Sequence, residues 1–152
     1  MELNGTYELN LPPEVVWSAL FDAETLASAI PGCERLEQTA ENAFSATVRL
    51  KIGPVSAKFN GEVELSEMIA PQSCLLSGKG SGGIAGFAKG SARLNLAPRD
   101  GGTMLTYTAD AALGGKLAAL GSRLIQSTTN KLANEFFTRF SETLNNKVDQ
   151  DA

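Results

Sequence analysis

Residues 86–113, GFAKGSARLNLAPRDGGTMLTYTADAAL, read as one long β-hairpin. Asp100-Gly101 is the turn, because both residue types tolerate positive φ at the centre of a two-residue loop. Folding there sets Leu96 opposite Leu105 and Leu94 opposite Tyr107. Further out, Ala92 meets Ala109, Gly90 meets Ala111 and Ala88 meets Leu113. The inward side chains therefore shrink towards the open end of the hairpin. Protein interiors are close-packed, so this space is either filled by a covering element or held open as a ligand cavity.

A second hairpin precedes it. Phe44, Ala46, Val48, Leu50 and Ile52 alternate with polar residues, and Val55, Ala57, Phe59, Gly61 and Val63 resume the pattern after Gly53-Pro54. Gly followed by Pro fits a type II′ turn. That turn predicts the pairs Ile52–Val55, Leu50–Ala57, Val48–Phe59, Ala46–Gly61 and Phe44–Val63, all apolar on the inner face. It also sets Arg49 against Lys58 on the outer face, a small like-charge cost. Residues 73–80 form another strand, in which either Leu75 or Leu76 points inward.

At the N-terminal end, Leu3, Gly5, Tyr7, Leu9 and Leu11 alternate with polar residues as a half-buried strand. Pro12-Pro13-Glu14 opens a helix through Phe21, and a second short helix from about Ala23 to Ile30 stops at Pro31-Gly32. From Lys116 to about Asn145, Leu117, Leu120, Leu124, Thr128, Leu132, Phe136, Phe140 and Leu144 recur every three or four residues. One helix of that length reaches about 45 Å, enough to cross a whole sheet. The tail, residues 147–152, is expected to fray. The order is strand, two short helices, six strands and one long helix: a single α+β domain over residues 1–146 with about seven antiparallel strands.

Composition narrows the function. The chain has 152 residues and a net charge of −4, and no basic cluster stands out along the sequence. This argues against a nucleic-acid phosphate backbone, and equally against an anionic membrane surface. Neither a signal peptide nor a spanning helix is visible, so a cytoplasmic location is expected. Histidine is absent, which removes the commonest general base and metal ligand. The two cysteines, Cys33 and Cys74, match neither a disulfide framework nor a zinc spacing and read as buried free thiols. The glycine stretch from Gly80 to Gly86 runs into a strand rather than a helix, so it fails the context of a phosphate loop. It reads as a bulged turn or as a pocket rim gated by Ile84 and Phe87.

Several motifs resemble the START-like (SRPBCC, helix-grip) superfamily, and most closely its branch of carbon monoxide dehydrogenase G subunits. They are Pro13-Glu14-Val15-Val16-Trp17 with Leu20-Phe21-Asp22, Ile30-Pro31-Gly32-Cys33-Glu34, the Lys51-Ile52-Gly53-Pro54-Val55 hairpin and the Gly78–Gly90 stretch. The resemblance implies a curved antiparallel sheet gripping a long C-terminal helix around an apolar cavity. It also implies a non-catalytic accessory protein of a molybdenum hydroxylase, coupling the enzyme to quinone or membrane. Some relatives extend towards a membrane-binding C-terminus; this sequence ends at Ala152, so at most peripheral contact at the inner face of the cell membrane is expected.

The expected cavity lies between Gly90, Ala92 and Ala109 and the first half of the helix, at Leu117, Ala118, Leu120, Gly121 and Leu124. Leu94, Phe44, Phe59 and Trp17 complete its apolar wall, and a tryptophan there would stack on a flat ring. Tyr107, Thr128 and Ser127 are the candidate polar handles. The alternative is a core filled by Phe136, Phe137 and Phe140. Asp22, Glu34 and Arg35 either face the mouth or serve as cap and solvated surface. No catalytic residue, metal ligand or covalent cofactor is expected; a quinone or lipid is the expected occupant. Two rivals stand beside this reading: a polyketide cyclase-like enzyme relying on Tyr107, and an interaction module acting through its surface.

Overall fold

The computed structural model describes residues 1–151, with side chains described through Lys147. Strand β1 (Glu2–Leu9) is followed by helices α1 (Pro13–Leu20) and α2 (Ala23–Ala29). Six strands come next: β2 (Cys33–Ala40), β3 (Ala43–Ile52), β4 (Val55–Ile69), β5 (Ser73–Ser81), β6 (Phe87–Arg99) and β7 (Gly102–Gly114). A short 3-10 turn, Gly83–Ala85, joins β5 to β6. The chain ends with α3 (Lys116–Ala119) and α4 (Ser122–Asp151). All strands are antiparallel in one sheet of order β1-β7-β6-β5-β4-β3-β2.

Both hairpin registers are as the alternation predicts. Leu96 pairs with Leu105, Leu94 with Tyr107, Ala92 with Ala109 and Gly90 with Ala111. Ile52 pairs with Val55, Val48 with Phe59 and Phe44 with Val63. Shifting either strand by one residue would turn its apolar face to solvent, which is why alternation fixes register so firmly. The Arg49–Lys58 opposition is real and is answered from β2, where Glu34 reaches Lys58 Nζ at 3.2 Å and Arg49 Nε at 3.6 Å. On β5 the inward residue is Leu76, which lies between Leu65 and Ala92.

The Ile30-Pro31-Gly32-Cys33 segment has a steric reason. Gly32 has φ +72°, and a Cβ there would strike the Arg49 carbonyl oxygen. Its own carbonyl accepts from Arg49 N at 2.8 Å, tying the end of α2 to β3.

The long helix differs from the expectation in two ways. It is interrupted after Ala119, because Gly121 takes φ +88°, a left-handed conformation that ends α3 at little cost in a glycine. The three-and-four spacing of Leu117, Leu120 and Leu124 runs through this break and conceals it. The helix restarts in a new phase, so Ile125 rather than Leu124 is the buried residue of its first turns. The helix also continues to Asp151, past the expected end at about Asn145 and into the tail expected to fray; Ala152 lies outside the described residues.

Candidate functional site

The inner face of β3 to β7 is apolar but for Thr103 and the Tyr107 hydroxyl, and its side chains are large only at its two ends. At one end Leu9, Leu94, Leu96, Leu105 and Cys74 pack with Val16 and Leu20 of α1 and with Phe140 and Leu144 of α4. Phe136, Phe137, Tyr7, Trp17 and Tyr107 close around them. At the other end Phe59, Ala85 and Leu117 are buried together, with Leu50, Ile52, Leu113 and Leu120 against them. Helix α4 joins the two ends. Leu124 sits over Gly53 in the β3–β4 turn, and 16 residues on, Phe140 is fully buried in the first cluster.

Between the clusters each central strand narrows. Inward positions pass from Leu105 and Tyr107 to Ala109 and Ala111 on β7, and from Leu94 to Ala92, Gly90 and Ala88 on β6. On β5 they pass from Leu76 to Gly78 and Gly80. The result is a groove of about 330 Å³, floored by these small residues, walled by Val63 and Leu76 and bordered by the intervening outward-phase residues Lys79, Lys89, Ser91 and Asp110. Its floor positions are half-buried rather than buried, so the phenylalanines of α4 fill the first end and leave the middle open. No carboxylate, lysine or arginine stands on the inward phase of β3 to β7.

Tyr107 belongs to the first cluster and stands one inward position along β7 from Ala109 of the groove floor. Its ring covers Gly5, where a Cβ would come within 2.5 Å of Cε1. Tyr7 lies alongside and stacks on Phe137 at a centroid distance of 4.1 Å. The Tyr7 hydroxyl donates to Asn134 Oδ1 at 2.7 Å, whereas Tyr107 Oη has no hydrogen-bond partner among the described residues. Burial pushes the Tyr107 phenol above its ordinary pKa, so it is a neutral donor at physiological pH.

The expected site residues divide by location. Gly90, Ala92 and Ala109 line the groove. Trp17, Leu94 and Tyr107 belong to the first cluster, where Trp17 makes an edge contact with Phe21 at 4.9 Å. Phe44 is buried opposite Val63. Phe59, Leu117 and Leu120 belong to the second cluster, and Leu124 lies beside it. Thr128 is half-buried, Gly121 is exposed, and the Ser127 hydroxyl is bonded to the Leu124 carbonyl. Ile84 is 86% exposed and Phe87 is 53% exposed. Phe87 falls on the outward phase of β6 and covers Gly114, so these two residues stand outside the groove.

Gly90 contributes space only in part. A Cβ there would lie 2.5 Å from the Asp110 carbonyl oxygen, so the glycine also permits a close strand approach. Sequence reasoning misses Val63, Leu76, Gly78, Gly80 and Ala111. Val63 and Ala111 already stand on the inward phase of the two predicted hairpins, whereas on β5 the choice between Leu75 and Leu76 leaves Leu76, Gly78 and Gly80 open.

The charged candidates lie elsewhere. Asp22 caps α2, accepting from Thr25 N at 3.1 Å and Thr25 Oγ1 at 2.6 Å, and Lys147 Nζ approaches it at 3.4 Å. Arg35 pairs with Glu37 at 3.1 Å. Among the described residues no three acidic or cysteine side chains gather as a metal site, and no helix is long and apolar enough to cross a membrane. Cys74 is buried, whereas Cys33 is only half-buried, contrary to the expectation of two buried thiols.

Comparison with known proteins places this geometry. A conserved protein from Geobacillus kaustophilus is similar at 33% identity, with 96% of each chain covered and a TM-score of 0.90. An aromatase/cyclase from Streptomyces shares the fold at 12% identity, covering 97% of this chain and 95% of its own, with a TM-score of 0.70. A protein from Thermus thermophilus does so at 17% identity, over 95% and 97% of the two chains, with the same TM-score. A search of curated proteins gives no match. The sequence profile of the carbon monoxide dehydrogenase G subunit (CoxG) matches residues 5–145, nearly the whole chain. The protein has the START-like, helix-grip fold and belongs to the CoxG family of carbon monoxide dehydrogenase G subunits.

Proposed function

We propose that this chain binds an apolar quinone- or lipid-like ligand, without catalysis, as an accessory protein of a carbon monoxide dehydrogenase-type molybdenum hydroxylase. The groove between the two packed clusters carries this reading. Its volume falls in the range of small-molecule pockets and its inward-facing floor is apolar, as in such pockets, while the unpartnered Tyr107 hydroxyl of the adjoining cluster is the candidate donor. A ring or chain lies on Gly78, Gly80, Ala92 and Ala109, and the Tyr107 hydroxyl donates to a carbonyl at the ligand's end. The family name supports the enzyme partner, and the ligand couples that partner to quinone or membrane. A cytoplasmic location, with peripheral contact at the membrane's inner face, fits this role.

A cyclase-like activity is the second reading, prompted by the Streptomyces aromatase/cyclase fold. It needs an inward acid or base, and Tyr107 is the candidate. A Tyr107→Phe variant that keeps full turnover of a polyketide chain would remove it.

The test of binding is native mass spectrometry of protein purified from its host, followed by solvent extraction, and titration with ubiquinone-1. Ala109→Phe places a ring in the groove, and the folded variant is expected to lose uptake. Unchanged uptake in that variant overturns the placement. Apoprotein alone, with no rise in melting temperature on adding ubiquinone-1, overturns the carrier reading in favour of an interaction module.

A further inference from the structure

The end of the sheet that carries the β3–β4 turn, the β5–β6 connection and the start of α4 has a charge pattern unlike the rest of the chain. Three sequence segments meet there: residues 51–58, 79–89 and 113–126. Leu124 lies over Gly53 and Gly86 against Leu117, and Ile52, Val55 and Ala57 share one cluster with Ala85 and Leu117, so the three meet. They hold Lys51, Lys58, Lys79, Lys89, Lys116 and Arg123 and no acidic residue, although the whole chain has 17 acidic residues against 13 basic. Glu34 engages Lys58 and Glu62 engages Lys79. Lys51, Lys89, Lys116 and Arg123 are exposed and form no salt bridge among the described residues. No such cluster is visible along the sequence, because the segments are far apart in it and converge only on folding.

The two most exposed large apolar side chains of the β5–β6 connection lie within this basic end. Ile84 projects from the 3-10 turn with 86% of its surface exposed, and Phe87 is 53% exposed three residues on. Gly86 holds φ +116° and Gly83 φ +63° between and beside them, which fixes the turn in a conformation closed to most side chains. Two large apolar residues held out among unpaired lysines suit neither the protein's own core nor water. They suit an interface that is anionic outside and apolar just beneath.

We infer that this end docks on an anionic lipid surface, with Ile84 and Phe87 entering the acyl boundary and Lys51, Lys89, Lys116 and Arg123 facing the headgroups. The net charge of −4 does not oppose this: Glu34 and Glu62, which reach into this end, are engaged by Lys58 and Lys79 respectively, and Lys51, Lys89, Lys116 and Arg123 remain as unpaired positive charge within a Debye length of the surface. The docking assigns a surface to the peripheral membrane contact proposed above and rests on that reading, but not on whether the groove holds a ligand.

The experiment is flotation with vesicles of phosphatidylcholine, alone and mixed with phosphatidylglycerol, at low and physiological salt. The wild-type chain is expected to float with the mixed vesicles and not with phosphatidylcholine alone, and to detach as salt rises. Reversing Lys116 in Lys116→Glu is expected to weaken binding at least about fivefold, the effect of about one lost charge at such a surface. Ile84→Asp is expected to weaken it about tenfold; the side chain is exposed, so folding, checked by thermal melting, is retained. Arg99→Glu, at the opposite end of the sheet, is the control and is expected to leave binding unchanged. Failure to float with the anionic vesicles overturns the inference. So does an equal loss in Arg99→Glu, or undiminished binding in Ile84→Asp.

Discussion

Tyr7 and Tyr107 stand nearly parallel across β1 and β7, with ring centroids 6.4 Å apart and 8° between their planes. They are the chain's only tyrosines, so its phenol titration reports on this pair alone. Burial raises both pKa values above the ordinary 10.0, and in Tyr7 the neighbouring Tyr107 phenolate adds to the effect of burial. The folded chain thus holds these protons more tightly than the unfolded chain. Stability from the pair is intact below about pH 10, the unfolded value, and is lost as pH rises through the raised folded values. Ultraviolet titration should find no phenolate forming at the ordinary midpoint while the fold persists. Tyr107→Phe should lower the Tyr7 midpoint without bringing it to the ordinary value. A single normal midpoint in the folded wild type would contradict the burial.

Cys74 and Cys33 should differ in reactivity. Cys74 has no exposed surface, and burial pushes its thiol pKa up, partly offset by Arg93. Cys33 is half-buried, its sulfur 3.5 Å from the Arg35 carbonyl oxygen. A thiol reagent at neutral pH should label Cys33 first in the native protein and reach Cys74 only on unfolding, since the exposed thiolate is the reacting form. Mass spectrometry of the labelled peptides reads this directly; Cys74 labelled at the rate of Cys33 would contradict it.

Why the hairpins are readable and the site only partly so follows from the same strands. Alternation with period two fixes which residues share a face, and the turns at Gly53-Pro54 and Asp100-Gly101 fix the count, so every pair from Leu96–Leu105 to Ala88–Leu113 is legible. The floor of the groove at Ala92 and Ala109 follows from that register. What lies above a sheet is not in its period. The left-handed Gly121 separates α3 from α4, so Leu117 and Leu120 pack in the second cluster independently of the rephased α4, and the groove is lined by strands alone. The outward phase of Phe87 is equally implicit in its register opposite Gly114, but the exposed Ile84 depends on a 3-10 turn that no periodicity encodes.

Asp22 links the helical layer. Its carboxylate caps α2 through Thr25, and Lys147 near the end of α4 bonds the same Thr25 hydroxyl at 2.9 Å. Asp22→Ala should cost about 1 kcal/mol, the usual worth of an N-cap, and lower the melting temperature by about 3 °C. The hydrogen bond from the Thr25 side chain, with help from its backbone and Lys147, holds the Asp22 pKa below the usual carboxylate value. Its contribution is therefore present above the unfolded value of about 4 and is lost as pH falls through the lower folded value. The gap in melting temperature between wild type and Asp22→Ala should accordingly close in acid; a gap that persists at about pH 2 would contradict the linkage.

Gly80 and Gly90 look alike in sequence and should respond oppositely to alanine. At Gly80 a Cβ would meet nothing nearer than the Asn60 carbonyl oxygen at 3.6 Å. At Gly90 it would sit 2.5 Å from the Asp110 carbonyl oxygen and 3.1 Å from Ala111 Cα, both backbone atoms that move only if β6 and β7 separate. Gly80→Ala removes the entropy cost of a strand glycine and should be neutral or stabilising by up to ~1 kcal/mol. Gly90→Ala should be destabilising by about 1–3 kcal/mol, the cost of overpacking a fitted contact. The Gly80 methyl enters the groove, so the same stable variant should bind ubiquinone-1 more weakly while melting no lower. If Gly80→Ala keeps full uptake, the β5 side of the groove is not where the ligand lies; if Gly90→Ala melts with the wild type, the two strands yield more easily than their register implies.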